Sequence, residues 1–445
     1  MGPRGARGWD KGRVTAHMDT PHAAVTTAPE ATGPLKGVRV VDLTSVLLGP
    51  VATLVFADLG ADVIKVESLA GDTTRSLGPS REPGMGPLFL HTNRNKRSLV
   101  LDLKQEAGKE ALRRLLASAD VLFHNMRPHA LQALGFGYAS VALLNPRIIY
   151  CGAFGYGQGG PYAKRPAYDD LIQGAVAMPA LFERSTGKPS YIPSALIDRM
   201  VAMTAAYSVC AALFHRERSG EGQNIEVPMF ETMAQMVLGE HMGGATFDPP
   251  SGPMGYSRLL SPFRKPYRTT DGYVATMAYT DRHWQRFFEY VGRPELGTDA
   301  RFATLGARTR HIDALYEIAE AEYARRPTAE WTEALQRLDI PVMVVHSLES
   351  LLDDPHLNEV GFFQWVEHPT QGRIRTMAHG THWSATPPNV RRLAPRLGEH
   401  STDLLAELGY SAQQIEALLA AGTTVQPRPD AAFAAPPCNK PGRTQ

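Results

Sequence analysis

The stretch Gly37-Val38-Arg39-Val40-Val41-Asp42-Leu43 is a short β-rich run, and Ala61-Asp62-Val63-Ile64-Lys65-Val66-Glu67 is a second one. An apolar segment from Val51 to Leu59 lies between them. Gly49-Pro50 precedes this segment and Gly60 follows it, as expected at the start and the end of a helix. A strand, a helix and a strand of these lengths form a βαβ unit, which implies a parallel sheet with a right-handed crossover.

The same alternation continues along the chain. Further strands are predicted at 97–102, 120–124 and 146–151, with an amphipathic helix at 104–117. Strands that alternate with helices from about 35 to 200 predict an α/β fold with a doubly wound sheet. A long helix of small residues is predicted from Arg199 to about Arg218.

Changes in composition along the chain predict a disordered extension, two domains and a tail. The first 33 residues are rich in Gly, Pro, Ala, Thr and Arg without hydrophobic periodicity, which indicates a disordered extension. The predicted units are this extension at 1–33, a large domain at 34–225, a linker helix with a smaller α/β domain at 226–340, a C-terminal segment at 341–424 and a tail at 425–445.

Charge and cysteine content exclude several classes of protein. Lys and Arg number 46 against 45 Asp and Glu, a formal net charge of +1. This balance argues against a nucleic-acid or anionic-membrane partner, which requires a basic excess. No apolar run approaches the roughly 20 residues that span a bilayer. Three scattered cysteines suit neither a disulfide framework nor a metal site, and they predict a reducing, cytoplasmic location.

The familiar catalytic motifs do not occur in this sequence. The turn after the first strand, Thr44 to Pro50, lacks the Gly-x-Gly-x-x-Gly pattern of dinucleotide-binding sheets. Asn93-Arg94-Asn95-Lys96-Arg97, followed by Lys104, and Asn125-Met126-Arg127-Pro128 are basic segments near strand ends. Such cations bind phosphates by charge-assisted hydrogen bonds. A solvated basic loop explains the same residues equally well.

Two aspartates, Asp169 and Asp198, each come just before a helical pattern. The simplest interpretation of either one is an N-cap, whose carboxylate accepts bonds from exposed backbone N–H groups. A helix N-terminus also favours the ionised carboxylate, which would suit a nucleophile that attacks a thioester. The two interpretations are compatible with each other.

Several segments together match a known family. They are Pro34 to Leu43, Leu59 to Glu67, Gly71-Asp72-Thr73-Thr74-Arg75, Asn95-Lys96-Arg97-Ser98 with Leu101-Asp102-Leu103-Lys104, Gly220-Glu221-Gly222-Gln223, and Leu397-Gly398-Glu399-His400-Ser401. With them the chain resembles the class III CoA-transferases, of the formyl-CoA transferase and carnitine CoA-transferase type. That group also includes the α-methylacyl-CoA racemases. The resemblance runs from about Pro34 to Ala420.

The resemblance implies a Rossmann-like large domain completed by the C-terminal segment, a smaller domain between those parts, and an interlocked homodimer. It implies transfer of CoA from an acyl-CoA to a free carboxylic acid, with Asp198 as nucleophile. Asp198 would form a mixed anhydride and then an aspartyl-CoA thioester. CoA and acyl-CoA are substrates in this scheme, which requires neither a metal nor a permanently bound cofactor.

The resemblance also assigns binding residues. Arg97 and Arg127 are candidate phosphate partners, and backbone N–H groups near 243–255 are candidate oxyanion donors. Formyl-CoA transferase has a glutamine at the position of Leu47 and arginines at the positions of Ser68 and Ala133. Formate and oxalate are therefore poor candidate substrates for this chain. The remaining implied CoA contacts are Ser45, Val46, Leu48, Leu101, Lys104, Asn125 and Met126.

Two alternatives remain open at this point. The family racemases use an aspartate at the position of Asp169 with a histidine, to exchange the proton next to the thioester. Here Tyr168 stands where racemases carry a histidine, and no histidine occurs between Ala130 and Tyr168. Tyr168 and Asp169 are then predicted to line the acyl pocket. The other alternative is a CoA-binding protein without turnover.

The segment Pro262-Phe263-Arg264-Lys265-Pro266-Tyr267-Arg268 in the smaller domain is strongly basic. A site for a dicarboxylate and a solvated loop explain it equally well. The family as a whole uses very different acids, so resemblance does not identify them.

Overall fold

This computed structural model describes residues 30–427. Most of the predicted N-terminal extension, most of the predicted tail, and Cys438 lie outside the described residues.

The first part of the described chain alternates strands with helices, as the opening βαβ unit predicts. The first helix begins earlier than predicted, at Leu48, because Gly49 and Pro50 belong to its first turn. The elements are β1 (Arg39–Leu43), α1 (Leu48–Asp58), β2 (Asp62–Glu67), α2 (Pro87–Thr92), β3 (Lys96–Val100), α3 (Glu106–Ala117), β4 (Val121–His124), α4 (Pro128–Ala133), α5 (Tyr138–Leu144), β5 (Ile149–Phe154), α6 (Asp169–Ala175), α7 (Met178–Thr186), α8 (Leu196–Ser219), β6 (Gln223–Pro228) and α9 (Met229–His241).

The second part consists of shorter elements. Short 3-10 turns occur at Thr73–Ser76, Gly243–Thr246 and Pro294–Gly297. The elements are α10 (Ser257–Leu260), β7 (Tyr267–Arg268), β8 (Tyr273–Thr276), α11 (Asp281–Tyr290), α12 (Leu305–Arg310), α13 (Ile312–Tyr323), α14 (Thr328–Arg337), β9 (Val342–Val344), α15 (Leu348–Leu351), α16 (Pro355–Glu359), β10 (Phe363–His368), β11 (Gly372–Met377), α17 (Ser401–Glu407) and α18 (Ala412–Ala420).

β1 to β6 form one parallel sheet in the order β3-β2-β1-β4-β5-β6. Successive residues of each strand face opposite sides, so Val40 and Val41 of β1 belong to two different cores. α1 and α8 cover the side that contains Val40. α3, α17 and α18 cover the side that contains Val41. The predicted α/β fold with a parallel sheet is confirmed.

The C-terminal helices pack on the large domain. Leu404 of α17 and Ile415 of α18 lie in the same buried cluster as Leu112 of α3. The backbone N–H of His400 donates to the carbonyl of Ser98 in β3 at 3.0 Å. These contacts place the C-terminal helices on one face of the six-stranded sheet, next to its edge strand β3.

The boundary predicted at residue 340 is wrong in one respect. β9, at Val342–Val344, pairs antiparallel with β8 and so belongs to the three-stranded sheet of the smaller domain, β7-β8-β9. The reason is packing, since Ile340 is buried among Trp284, Phe287 and Trp331. The smaller domain therefore continues beyond 340.

α8 is 24 residues long, and a window of it has a mean hydropathy of 1.4. By length and composition alone it could cross a membrane. The apolar runs of the sequence did not indicate a membrane span here, because polar residues interrupt the run in this helix. One face of α8 is buried against α1 and the sheet through Val201, Ala205 and Val209. Packing of this kind explains an apolar helix without a membrane, and a single such helix is weak evidence for one.

Candidate active site

The strand order of the large sheet reverses between β1 and β4. In open α/β sheets, ligands bind at the carboxyl ends of the strands next to such a reversal. Two neighbouring cavities open there, of 260 Å³ and 440 Å³, and Ser45 lines both of them. We call the first the Asp198 cavity, because it contains that carboxylate, and the second the β2–β3 cavity, because it lies over the ends of those strands.

The two cavities bring together most of the residues that the sequence singles out. Leu47 and Ser68, where formyl-CoA transferase has glutamine and arginine, line the Asp198 cavity and the β2–β3 cavity respectively. The predicted residues in the Asp198 cavity are Ser45, Val46, Leu48, Asn125, Arg127, Tyr168 and Asp198. Those in the β2–β3 cavity are Ser45, Leu101, Lys104 and Met126.

Asp198 is a half-buried carboxylate in the first turn of α8. Ala195, and not Asp198, occupies the N-cap position, so the N-cap interpretation of Asp198 is wrong. Burial, which disfavours the charged form, raises the pKa of Asp198 to about 6, and the neighbouring charge of Asp169 adds to this increase. The cation of Arg199 opposes it. A carboxyl with a raised pKa inside a cavity is a common property of catalytic groups.

Asp169 is held beside Asp198 by hydrogen bonds. It is the first residue of α6, and Tyr168 occupies the N-cap position. Its Oδ2 accepts from the backbone N–H of Asp198 at 2.9 Å, and its Oδ1 accepts from Nε2 of the buried Gln173 at 2.7 Å. Gln173 Oε1 in turn accepts from the backbone N–H of Ile192 at 2.9 Å. Asp169 thus caps α8 from another helix and fixes the position of Asp198.

The turn after β1 forms the wall between the two cavities. Val46 has a φ of +72°, a left-handed conformation that is costly for a β-branched residue. Its N–H lies 3.2 Å from both carboxylate oxygens of Asp72, and Lys65 binds Asp72 at 2.9 Å. Asn125 accepts from the N–H of Ser45 at 3.1 Å and donates to its carbonyl at 2.8 Å. These bonds hold the turn in place.

Asp72 is a positioning residue that the sequence analysis did not identify. It occurs in the Gly71 to Arg75 motif that carries the resemblance, but nothing in the motif indicates which backbone group it binds. The contact with Val46 depends on a tertiary approach between residues that are 26 positions apart.

The basic segment 93–97 does not form a phosphate site. Arg94 pairs with Asp58 at 2.7 Å, and Lys96, which is fully buried, pairs with Asp42 at 3.1 Å. The guanidinium of Arg97 binds two carboxylates, those of Asp62 and Glu407, each at 2.6 Å. Arg97 lines neither cavity. Its predicted role as a phosphate partner is therefore corrected, because its charge is already paired with two carboxylates at the edge of the sheet.

Cations that do line the Asp198 cavity are Arg127 and Arg165. Within residues 30–427 neither forms an ion pair, and the guanidinium of Arg165 lies 4.0 Å from the centroid of the Tyr162 ring. Arg165 is not among the residues predicted from the sequence. The basic segment Lys164-Arg165-Pro166 could have indicated it, since only Ala167 separates this segment from Tyr168.

The glycines near 243–255 are not among the residues that line the Asp198 cavity in the described chain. Their own loop uses several of the N–H groups, because Gly244 donates to the carbonyl of Pro253 at 3.1 Å and Gly255 to that of His241 at 2.8 Å. These two N–H groups are therefore not available as oxyanion donors. Among the described residues, no group of three or more His, Cys, Asp or Glu could hold a metal ion.

Asp198 therefore lies in a cavity that has unpaired cations in the described chain and a second cavity beside it. Its raised pKa is opposite to the effect expected of a helix N-terminus, because burial and the charge of Asp169 outweigh that effect. The model of the family described as CoA-transferase family III matches residues 35–401. This chain belongs to CoA-transferase family III.

Individual members of the family are similar along nearly their whole length. A succinate–glutarate CoA-transferase from Agrobacterium fabrum is 32% identical, with 86% of this chain and 98% of that protein covered. A probable fatty acyl-CoA transferase from Mycobacterium tuberculosis is 33% identical, with 84% and 98% covered. The crystal structure of a CaiB/BaiF family protein from Brucella suis superimposes with a TM-score of 0.71 at 30% identity, covering 85% of this chain and all of that one. The names of these relatives indicate different acids.

Proposed function

We propose that this family III CoA-transferase moves CoA from an acyl-CoA to a free carboxylic acid through the carboxylate of Asp198. The observation that carries the proposal is the place of Asp198. It lies at the strand reversal, in a cavity that shares the Ser45 wall with a second cavity. An extended molecule such as CoA requires a site of this shape.

The two cavities suit different parts of CoA. The β2–β3 cavity has the larger volume, 440 Å³, and would hold the nucleotide, with the ammonium group of Lys104 near its phosphates. Arg127 would neutralise phosphate charge at the boundary with the Asp198 cavity. The pantetheine arm would then pass Ser45 and bring the thioester to Asp198. The same layout supports a Rossmann-like description of the large domain.

The reaction follows from the chemistry of two carboxylates and one thiol. Asp198 attacks the acyl carbonyl, the C–S bond breaks, and the CoA thiolate leaves a mixed anhydride. The thiolate then attacks the aspartyl carbonyl of that anhydride, which releases the donor acid and leaves an aspartyl-CoA thioester. The acceptor carboxylate attacks this thioester, the C–S bond breaks, and the CoA thiolate leaves a second anhydride. Attack of the thiolate on the acceptor acyl carbonyl gives the new acyl-CoA and restores Asp198.

The raised pKa of Asp198 favours this chemistry. A carboxyl with a pKa of about 6 is still ionised by roughly ten to one at pH 7, so the nucleophile is present. A more basic carboxylate is also the better nucleophile. Burial of the same group removes water that would hydrolyse the anhydrides.

The racemase alternative receives less support. Asp169, unlike Tyr168, is not among the residues that line the Asp198 cavity, and no histidine of the described chain lines it. A base for proton exchange needs a free lone pair directed at the substrate. Asp169 is a positioning residue in our proposal. Incorporation of solvent deuterium into the acyl chain in the absence of an acceptor acid would favour the racemase instead.

Trapping of the acylated aspartate tests the proposal. The enzyme is incubated with acyl-CoA and hydroxylamine, digested, and analysed by peptide mass spectrometry. We expect a hydroxamate at Asp198 in the wild type and in Asp170→Asn, a matched control in which an exposed neighbouring carboxylate is removed. Asp198→Asn should carry no hydroxamate and should lack transferase activity. An unmodified wild type with a fully active Asp198→Asn would refute the proposal. A wild type that binds CoA but shows no acyl exchange with any acceptor acid would favour the non-catalytic alternative instead.

We also propose that the protein is a homodimer, in the interlocked form that the family resemblance implies. The outer face of α8 carries Met203, Tyr207 and Phe214, of which Tyr207 and Phe214 are about two-thirds exposed. These residues recur at helical spacing and form an apolar stripe opposite the buried face. A second copy of the chain would cover it. Sedimentation velocity checks the mass, and a monomer at micromolar concentration would contradict the proposal.

The cytoplasm is the compartment we propose. The two described cysteines, Cys151 and Cys210, are both unpaired. Unpaired thiols are typical of a reducing compartment.

A further inference from the structure

Arg258 is a buried guanidinium in the smaller domain, and only 5% of its surface is exposed. Within residues 30–427 it forms no ion pair, and its Nε has no hydrogen-bond partner. Its Nη2 reaches the hydroxyl of Tyr316 only at 3.5 Å. The ring of Tyr279 lies 4.8 Å from the guanidinium carbon and offers a weak cation–π contact. A buried charge with so few partners is costly unless a ligand compensates it.

A cavity of 610 Å³ lies beside Arg258, between the end of α9 and the small sheet. Arg264 lines it too, so two cations share one cavity. Arg264 and Met277 also line a neighbouring cavity of 250 Å³. The acidic side chain on the wall is that of Glu240, which is 64% exposed and lies 3.9 Å from Nε2 of His241. Solvent therefore screens the charge of Glu240 more than that of Arg258.

The chemistry of the cavity favours a carboxylate with a short carbon chain. The Nε and one Nη of a guanidinium form a fork that matches the two oxygens of a carboxylate. Leu259, Met277 and the ring of Tyr256 supply apolar walls for the carbon atoms. A volume of several hundred Å³ is typical of small-molecule sites.

We propose that this cavity is a carboxylate-binding site of the smaller domain, which takes the anion of a small organic acid between Arg258 and Arg264. The basic segment 262–268 contributes Arg264 to this cavity. From the sequence alone, a dicarboxylate site and a solvated loop explained this segment equally well. The site is separate from the Asp198 cavity. α9 connects the two, from Met229 to Gly239, and this length of helix spans about 15 Å. The proposal therefore does not depend on the reaction at Asp198.

Isothermal titration with succinate, using the full chain, tests the site. An Asp198→Asn background removes turnover, and succinamide serves as the uncharged comparison ligand. We expect Arg258→Gln to weaken succinate binding by about tenfold or more, because charge-assisted hydrogen bonds are lost. Arg258→Lys should recover part of the affinity. Arg268→Gln is the matched control and should change nothing, since Arg268 belongs to the same basic segment, is exposed, and lines neither cavity.

Three outcomes would overturn the proposal. The first is equal succinate affinity in the wild type and in Arg258→Gln. The second is equal binding of succinamide. The third is conversion of a dimer to a monomer by Arg258→Gln with unchanged acid binding, which would mean that a carboxylate of a second copy occupies the site. If Arg258→Gln does not fold, phenylglyoxal labelling of the native chain replaces it. Succinate should then protect the peptide that contains Arg258 and Arg264, and an unprotected peptide would refute the site.

Discussion

Replacement of Asp169 by asparagine should lower the pKa of Asp198 and shift the acid limb of the pH–rate profile to lower pH. The carboxylate of Asp169 binds the backbone N–H of Asp198 at 2.9 Å and is the second cause of its raised pKa, after burial. The asparagine amide can still accept that N–H, so α8 keeps its cap. Its NH₂ group meets the NH₂ of Gln173, and that hydrogen bond is lost.

The size of the shift can be estimated from the structure. The pKa of Asp198 rises from 3.8 to about 6, which corresponds to about 3 kcal/mol in proton affinity. Burial causes the larger share and remains in the variant. We therefore expect the apparent pKa to fall by no more than about one unit, or about 1 kcal/mol. The maximal rate should also fall several-fold, because a less basic carboxylate is a poorer nucleophile and because the side chain at position 169, which positions Asp198, loses its hydrogen bond to Gln173.

The assay is the rate of acyl exchange between acyl-CoA and free acid, followed by chromatography from about pH 5 to pH 8. Wild type should lose activity below about pH 6, because the protonated Asp198 cannot attack. Asp169→Asn should keep its plateau to lower pH. Asp170→Asn is the control with an exposed carboxylate, and its profile should match that of the wild type. An acid limb that stays in place or moves to higher pH in Asp169→Asn would refute the electrostatic coupling.

Three further predictions concern stability and substrate binding. Asp198→Asn should raise the free energy of unfolding at pH 7 by up to about 3 kcal/mol, measured as a higher melting temperature, because a carboxyl whose folded pKa is raised destabilises the fold above that pKa; the gain should disappear as the pH falls toward 4. Denaturant titration of Lys96→Met should show a loss of about 3–5 kcal/mol, since the variant leaves Asp42 buried without one of its cations. Lys104→Ala should raise the KM for acyl-CoA about tenfold with little change in kcat, and an unchanged KM would exclude Lys104 from the CoA site.

Much of the fold is determined by local patterns in the sequence. Val40, Val41, Val63 and Ile64 are apolar residues in two short runs, and both faces of their strands are buried in a parallel sheet. A helix between them is marked by Gly49-Pro50 and Gly60. Because these signals are local in sequence, they can be recognised without coordinates. The end of the smaller domain could not be recognised in this way, because β9 belongs to that domain through its pairing with β8, some 70 positions away.

The candidate site divides in the same way. The sequence by itself, through the family motifs, predicted that Asp198 and the turns after β1 and β4 belong to one site, and all three line the Asp198 cavity. Only the tertiary structure decided which charges are free. Arg97 belongs to a family motif, but it forms ion pairs with Asp62 and Glu407. No motif contains Arg165 or Arg258, and neither has a carboxylate partner in the described chain. An ion pair joins residues that are distant in sequence, so composition cannot reveal whether a given cation is already neutralised.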